Sequence, residues 1–422
     1  MKSPTYGIGL YAPAGFVVDP EAISRATERL EALGHRVIVD PTASNRWQRF
    51  SASDDERLAA VMRMASDPRV DLAVAVRGGY GWSRLLDRID FDVIAASKTR
   101  WLGHSDFTAF QLAAWTHARM VSFAGPMAAY DFGALEPSSF TNDHCWALLA
   151  GASYEIELPL EGPADFSASG TLWGGNLAMV AHLVGTSHFP TIAGGILMLE
   201  DIGEQPYRIE RMLYQLHFAG VLGQQRAILL GSFNGFEASP NDNGYDLAAA
   251  IAHARARFGV PIYAGLPFGH CRDKLTLPFG GHAELEVTGG TTRLRLSGYG
   301  AAPRQGSRAL QPAEATRKSN ATSPVARPVA SKLRSMKRAL SSRAISRTVD
   351  ERVPYSGLTM NGDESKLSHC GETPVAGRLA SPAGWRSARS ANRVSTGGSS
   401  SASHAARRVL LRSNFGQGVS SR

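Results

Sequence analysis

Four short segments carry side chains suited to acyl transfer. The first is Gly103-His104-Ser105-Asp106, where a predicted strand gives way to a predicted helix. A serine on such a sharp turn is exposed near the positive end of the helix, and the N–H of the next residue, Asp106, can donate to an oxyanion. The competing reading is a serine that only caps the helix. The second segment is Arg77-Gly78-Gly79-Tyr80-Gly81, directly after the apolar run VDLAVAV. Its glycines let the backbone approach a ligand closely, so the Gly78 and Gly79 amides can complete an oxyanion hole. A tight βα turn is the alternative. A dinucleotide loop would need the full GxGxxG spacing and an acidic residue at a following strand end, and both are missing.

The third segment is Leu199-Glu200-Asp201-Ile202-Gly203-Glu204, after the apolar strand GILML. Carboxylates at a strand end are costly to bury unless they are paired or used. Three roles compete: orienting a histidine, an acid/base pair as in glycosidases, or a solvated turn with Glu204 paired to Arg208 or Arg211. The fourth is Gly265-Leu266-Pro267-Phe268-Gly269-His270, a loop between ordered segments. A lone loop histidine can be structural or catalytic. Neighbouring Cys271 is a rival nucleophile with no supporting context. His104 is set aside as a base because consecutive strand residues point to opposite faces. Together the segments supply a nucleophile, an orienting acid and a base in the chain order Ser, acid, His. HExxH, paired Cys/His spacings and EF-hand loops do not occur, which argues against a metal.

The elements that must position these groups follow from hydrophobic periodicity. Strands are expected at Tyr6–Ala12, Arg36–Val39, Val70–Val76, Arg100–Gly103 and Val121–Gly125, with helices between them at Pro20–Leu33, Ser51–Ala65, Trp82–Ala95 and Phe107–His117. That alternation predicts an α/β, doubly wound parallel sheet of flavodoxin-like type over residues 1–140. Residues 141–170, inside a stretch rich in Pro, Gly, Ser and Asp, read as a linker. Residues 171–302 read as a smaller mixed α/β domain, with helices at Leu177–Leu183, Arg208–Phe218 and Leu247–Phe258. Its strands are Gly195–Leu199 and Ala227–Gly231, and its end is a hairpin turning at Gly289-Gly290. Residues 303–422, dominated by Ser, Arg, Ala, Pro and Gly, read as a disordered basic tail.

Charge divides the same way. Of the 45 Lys and Arg and 37 Asp and Glu in the chain, 21 and 6 fall in residues 301–422, a net of +15. The remaining 24 and 31 give residues 1–300 a net of −7. The basic pI therefore describes the tail, and nucleic-acid binding is expected, if anywhere, through that tail alone. Three cysteines without a CxxC pair fit a reducing compartment. No run reaches the roughly 18–20 apolar residues needed to span a bilayer, and the N-terminus reads as a strand instead of a signal peptide. The expectation is a cytoplasmic protein that does not enter membranes.

Five segments in register, RGGYG, GHSDFTAF, TLWGGNLAM, LEDIGEQPYRIERML and GLPFGHCRDKLTLPFG, resemble the successive signatures of the LD-carboxypeptidases, serine peptidase family S66. The resemblance runs from about residue 6 to residue 298. It implies a triad of Ser105, Glu200 and His270, with oxyanion amides at Gly79 and Asp106. It further implies removal of the terminal D-alanine from the L,D-bond of a murein tetrapeptide during peptidoglycan recycling, no cofactor, and a homodimer. An exopeptidase must neutralise the D-alanine carboxylate, for which Arg77 is a candidate, with Tyr80 beside it as a second substrate-binding candidate. The related enzymatic alternative is a family peptidase that inactivates microcin-type aminoacyl-adenylate antibiotics. The non-enzymatic alternative, nucleic-acid binding by the tail, predicts an affinity that falls steeply with salt and vanishes on truncation near residue 303.

Overall fold

The structure, a computed structural model, describes residues 4–300. The expected basic tail, 303–422, lies outside the described residues. The first half of the chain runs β1 (Gly7–Tyr11), α1 (Glu21–Ala32), β2 (Arg36–Val39), α2 (Asp54–Ser66), β3 (Leu72–Ala75), α3 (Phe91–Ala96), β4 (Arg100–Gly103), α4 (Phe107–Ala118) and β5 (Ser122–Ala124). Local chemistry explains the ends. Ser53 and Glu56 close α2 with a reciprocal capping box, and Asp54, Asp55 and Glu56 sit in its positive first turn. β3 is buried at every position, as a strand covered on both faces must be.

These strands form a sheet in the order β2-β1-β3-β4-β5, all parallel. The order reverses between β1 and β3, and that reversal opens a crevice at the carboxyl ends of the strands. The loops leaving β1 and β3 meet there, with Gly15 N–H donating to Gly78 O at 3.1 Å. The helix expected over Trp82–Ala95 is instead two 3₁₀ turns, Trp82–Arg84 and Leu86–Arg88, followed by α3. Extended backbone at Ile89 interrupts the run, and Asp90 caps α3 by accepting from Val93 N–H at 3.0 Å.

The second half runs α5 (Ser139–Ala150), β6 (Tyr154–Leu158), β7 (Phe166–Asn176), α6 (Leu177–Leu183), β8 (Ile196–Ile202), α7 (Pro206–Phe218), β9 (Ala227–Asn234), α8 (Leu247–Arg257), β10 (Ile262–Ala264), β11 (Leu277–Phe279), β12 (His282–Thr288) and β13 (Thr291–Ser297). Its sheet has the order β10-β9-β8-β7-β12-β13-β6, parallel from β7 to β10 and antiparallel from β7 to β6. The glycine hairpin falls where expected, between β12 and β13. The linker over 141–170 is a correction: those residues hold α5, β6 and the start of β7. Their turn-forming residues mask a helix that buries Thr141, Cys145, Leu148 and Leu149 on one stripe.

Two features join the sheets. β11 leaves the second half of the chain to pair antiparallel with β5, at the edge of the first sheet. At the end of β7, Asn176 N–H donates to the Thr108 hydroxyl of α4 at 3.0 Å, with both residues buried. Thr108→Val keeps the shape but strands that N–H, so it should lower stability by about 1–3 kcal/mol in urea denaturation, while Thr108→Ser should recover most of the loss.

Candidate active site

Ser105 follows β4 in the left-handed region, with φ 65°. A non-glycine residue tolerates this only where its surroundings enforce it. Gly78 packs against it, and a Cβ there would lie 2.8 Å from Ser105 Cβ and 2.9 Å from its Oγ. Only glycine lets the β3 loop sit this close to the hydroxyl. Ser105, Arg77, Gly78, Gly79 and His270 line one cavity of about 800 Å³. Among the described residues, the N–H groups of Gly79 and Asp106 donate no hydrogen bond within the protein, so both are free to serve a ligand oxygen.

Glu200 lies in the buried part of β8 with no exposed surface. Its Oε2 accepts from His270 Nδ1–H at 2.7 Å. Protonation of Nδ1 toward Glu200 leaves the Nε2 lone pair as the basic atom of the neutral ring. The approach needs Gly269: a Cβ there would lie 2.5 Å from Glu200 Oε2, and its φ is +106°. The pairing of β8 with β9 shifts between Leu199 and Asp201, and both Glu200 and Asp201 are buried. Asp201 turns to the start of α6, accepting from Asn176 Nδ2–H at 2.9 Å and Ala178 N–H at 2.8 Å. Burial nevertheless pushes its carboxyl up to about 6, with the charge of Glu200 adding to the rise.

The loop that presents His270 is held from two sides. Asn234 Nδ2–H donates to His270 O at 2.8 Å from β9, while Thr141 Oγ1–H donates to Arg272 O at 2.9 Å from α5. Beside it lies a buried ion pair, Lys274 Nζ to Asp131 Oδ1 at 2.5 Å, on the cavity wall.

The remaining candidates fall out as follows. Arg77 lines the cavity, and its guanidinium donates to Phe16 O. Tyr80 packs beside Phe50, with ring centres 5.9 Å apart, and is not among the lining residues. His104 does face the cavity, its ring 5.1 Å from that of His270. The alternation argument fails for it because β4 stops at Gly103 and the backbone then turns left-handed. Gly125 O accepts from His104 Nδ1–H at 2.8 Å, and burial, then the charges of Lys274 and His270, hold its pKa well below the usual histidine value. Cys271 also lines the cavity, but burial raises its thiol pKa and so disfavours the thiolate.

A hydroxyl on a strained turn, an imidazole fixed by a buried carboxylate and two free N–H groups form the equipment of acyl transfer. Comparison with known proteins agrees. Residues 8–125 match the LD-carboxypeptidase N-terminal domain and residues 169–285 the LD-carboxypeptidase C-terminal domain. The chain belongs to the LD-carboxypeptidase family of serine peptidases.

A solved muramoyltetrapeptide carboxypeptidase from Oxalobacter formigenes is 43% identical to this LD-carboxypeptidase, with a TM-score of 0.66 over 69% of this chain and 99% of that one. The murein tetrapeptide carboxypeptidase of Pseudomonas aeruginosa is 30% identical over 66% of this chain and 92% of its own length. A probable murein peptide carboxypeptidase of Bacillus subtilis is 31% identical over 66% and 88%.

Asp131 and Lys274 escaped sequence reasoning because they pair across 143 residues, with no local pattern to link them. Asn176 and Asp201 lay inside segments that carried the family likeness, yet only the fold joins them. Asp131→Asn would leave the Lys274 ammonium buried without a counter-charge and should lower stability by about 3–5 kcal/mol in urea denaturation at pH 7.

Proposed function

We propose that this LD-carboxypeptidase releases the terminal D-alanine of a murein tetrapeptide through an acyl-enzyme, with Ser105 as nucleophile, His270 as general base and Glu200 as its orienting acid. The observation that carries this reading is the 2.7 Å bond between His270 and buried Glu200, on a loop that shares one cavity with Ser105. Substrate choice is supported by the muramoyltetrapeptide carboxypeptidase, 43% identical over nearly its whole length.

In this mechanism Ser105 Oγ attacks the carbonyl of the L-configured third residue as His270 Nε2 takes its proton. The oxyanion accepts from Gly79 N–H and Asp106 N–H. Glu200 stabilises the imidazolium, which then protonates the departing D-alanine nitrogen. Water attacks the ester, His270 again serves as base, and the tripeptide leaves with Ser105 regenerated. Arg77 at the cavity wall supplies the positive charge that the D-alanine carboxylate needs. No helix among the described residues is long and apolar enough to cross a membrane. The family likeness supports a cytoplasmic homodimer acting in peptidoglycan recycling.

The test is product analysis on defined murein tetrapeptides and pentapeptides. The wild type should release free D-alanine from the tetrapeptide. Ser105→Ala should lose at least about 10³-fold in kcat, and Glu200→Gln about 10²- to 10⁴-fold, with both variants still folded. Ser105→Ala retaining near wild-type turnover would overturn the nucleophile. Turnover of an aminoacyl-adenylate antibiotic with none of the tetrapeptide would move the substrate to the alternative class.

A further inference from the structure

Asp106 enters the proposed mechanism only through its backbone N–H, and its side chain has a separate place in the fold. It occupies the position before α4, where an aspartate ordinarily bonds its own helix, yet it makes no such bond. Buried to 1% exposure, it reaches across to the glycine loop, where its Oδ2 accepts from Trp82 N–H at 3.0 Å. Gly81 N–H also favours its charged form. Oδ1 has no hydrogen-bond partner among the described residues. From the opposite side the fully buried Arg57 guanidinium donates to Gly81 O at 3.1 Å and to Pro13 O. Residues 81–82 are thus gripped between a carboxylate on the nucleophile turn and a cation on α2. Gly79 lies two residues before that grip.

We propose that the Asp106 side chain is a positioning residue: by tying residues 81–82 to the turn that carries Ser105, it sets the spacing of the two oxyanion donors, Gly79 N–H and Asp106 N–H. The inference rests on the acyl-transfer reading above and adds a group that touches neither substrate nor nucleophile.

A carboxylate is an unfavourable choice for this site on stability grounds alone. Burial raises its pKa up to about 7, while the Trp82 N–H, Arg57, the Gly81 N–H and Arg49 lower it only in part. The charged groups facing it are Arg57 from α2 and Arg49 from the loop before that helix. A folded-state pKa above the unfolded value of 3.8 means that stability is lost as pH rises from about 4 to about 7. Asp106→Asn should therefore raise Tm at pH 8, with the gain fading toward pH 4. In catalysis the sign is opposite. Below pH 7 the side chain takes up a proton, accepts more weakly from the loop, and the oxyanion donors lose their register.

The experiment measures kcat and KM of the full-length protein on a murein tetrapeptide from pH 5 to pH 9. Asp106→Ala should lose about 10²-fold in kcat with KM nearly unchanged, since the lost interaction acts in the transition state. Asp106→Asn, which still accepts from Trp82 N–H but as a neutral group like the protonated acid, should recover only part of that loss. It should also reduce the acid limb of log kcat from a two-proton to a one-proton slope. Asp106→Ala at wild-type kcat, with Ser105→Ala inactive, overturns this inference and leaves the triad standing. Activity in Ser105→Ala overturns the triad itself. Should Asp106→Ala fail to fold, the slope for Asp106→Asn decides, and an unchanged two-proton limb rejects the positioning role.

Discussion

A carboxylate taken fully out of water at the end of a strand governs the arrangement around it. An isolated buried Glu200 would be costly, and His270 Nδ1–H at 2.7 Å is what its Oε2 meets in compensation. Several features follow from making that contact. Gly269 must lack a side chain, because a Cβ would strike Glu200. Phe268 O accepts from Ser232 N–H at 2.9 Å, so β9 holds the loop just before the histidine, and Asn234 holds it just after. On the far side α5 grips Arg272 through Thr141, and Ser138 Oγ–H donates to Asp273 at 2.6 Å. The imidazole therefore takes its orientation from both halves of the chain, while Ser105, which lines the same cavity, is placed by the β3 and β4 loops of the first sheet.

How much of this was legible depended on whether a signal was local. The parallel strands of the first sheet were readable because double burial makes a run such as VDLAVAV apolar throughout. The segments that hold Ser105, Glu200 and His270 stood out because each follows an apolar strand or forms a glycine-rich loop. The linker reading failed at α5, whose four buried positions sit among Ser, Asn and Asp. It failed again at β7, whose first residues, from Phe166 to Gly170, fall inside that stretch. β11 is only three residues long and contains Pro278, a residue that strands tolerate at sheet edges, which is where β11 lies. The orientation argument against His104 failed because period-two alternation presumes a strand that continues, and this one ends one residue earlier. The partnership of Asp131 with Lys274 has no sequence signature at all, since only the completed fold brings the π-turn Ala128–Phe132 against the histidine loop.

The ion pair on the cavity wall is best understood through the charge that the proposed mechanism creates. A general base that removes a proton from a serine becomes an imidazolium in the transition state, so any unopposed cation nearby raises the barrier. Lys274 lines the same cavity as His270 and is almost completely buried, where poor screening would make its repulsion strong. Asp131 at 2.5 Å cancels that charge, and its second oxygen accepts from Met127 N–H at 2.7 Å, which fixes it in place. His104, lying against His270, is kept neutral by burial, which outweighs the opposing effect of its bond to Gly125 O, so it adds no second cation. In the proposed mechanism Glu200 then remains as the charge hydrogen-bonded to His270, and its sign favours the imidazolium. On the proposed mechanism, a buried ion pair that contributes little to net stability can persist on the wall of this cavity because it leaves His270 free to accept its proton.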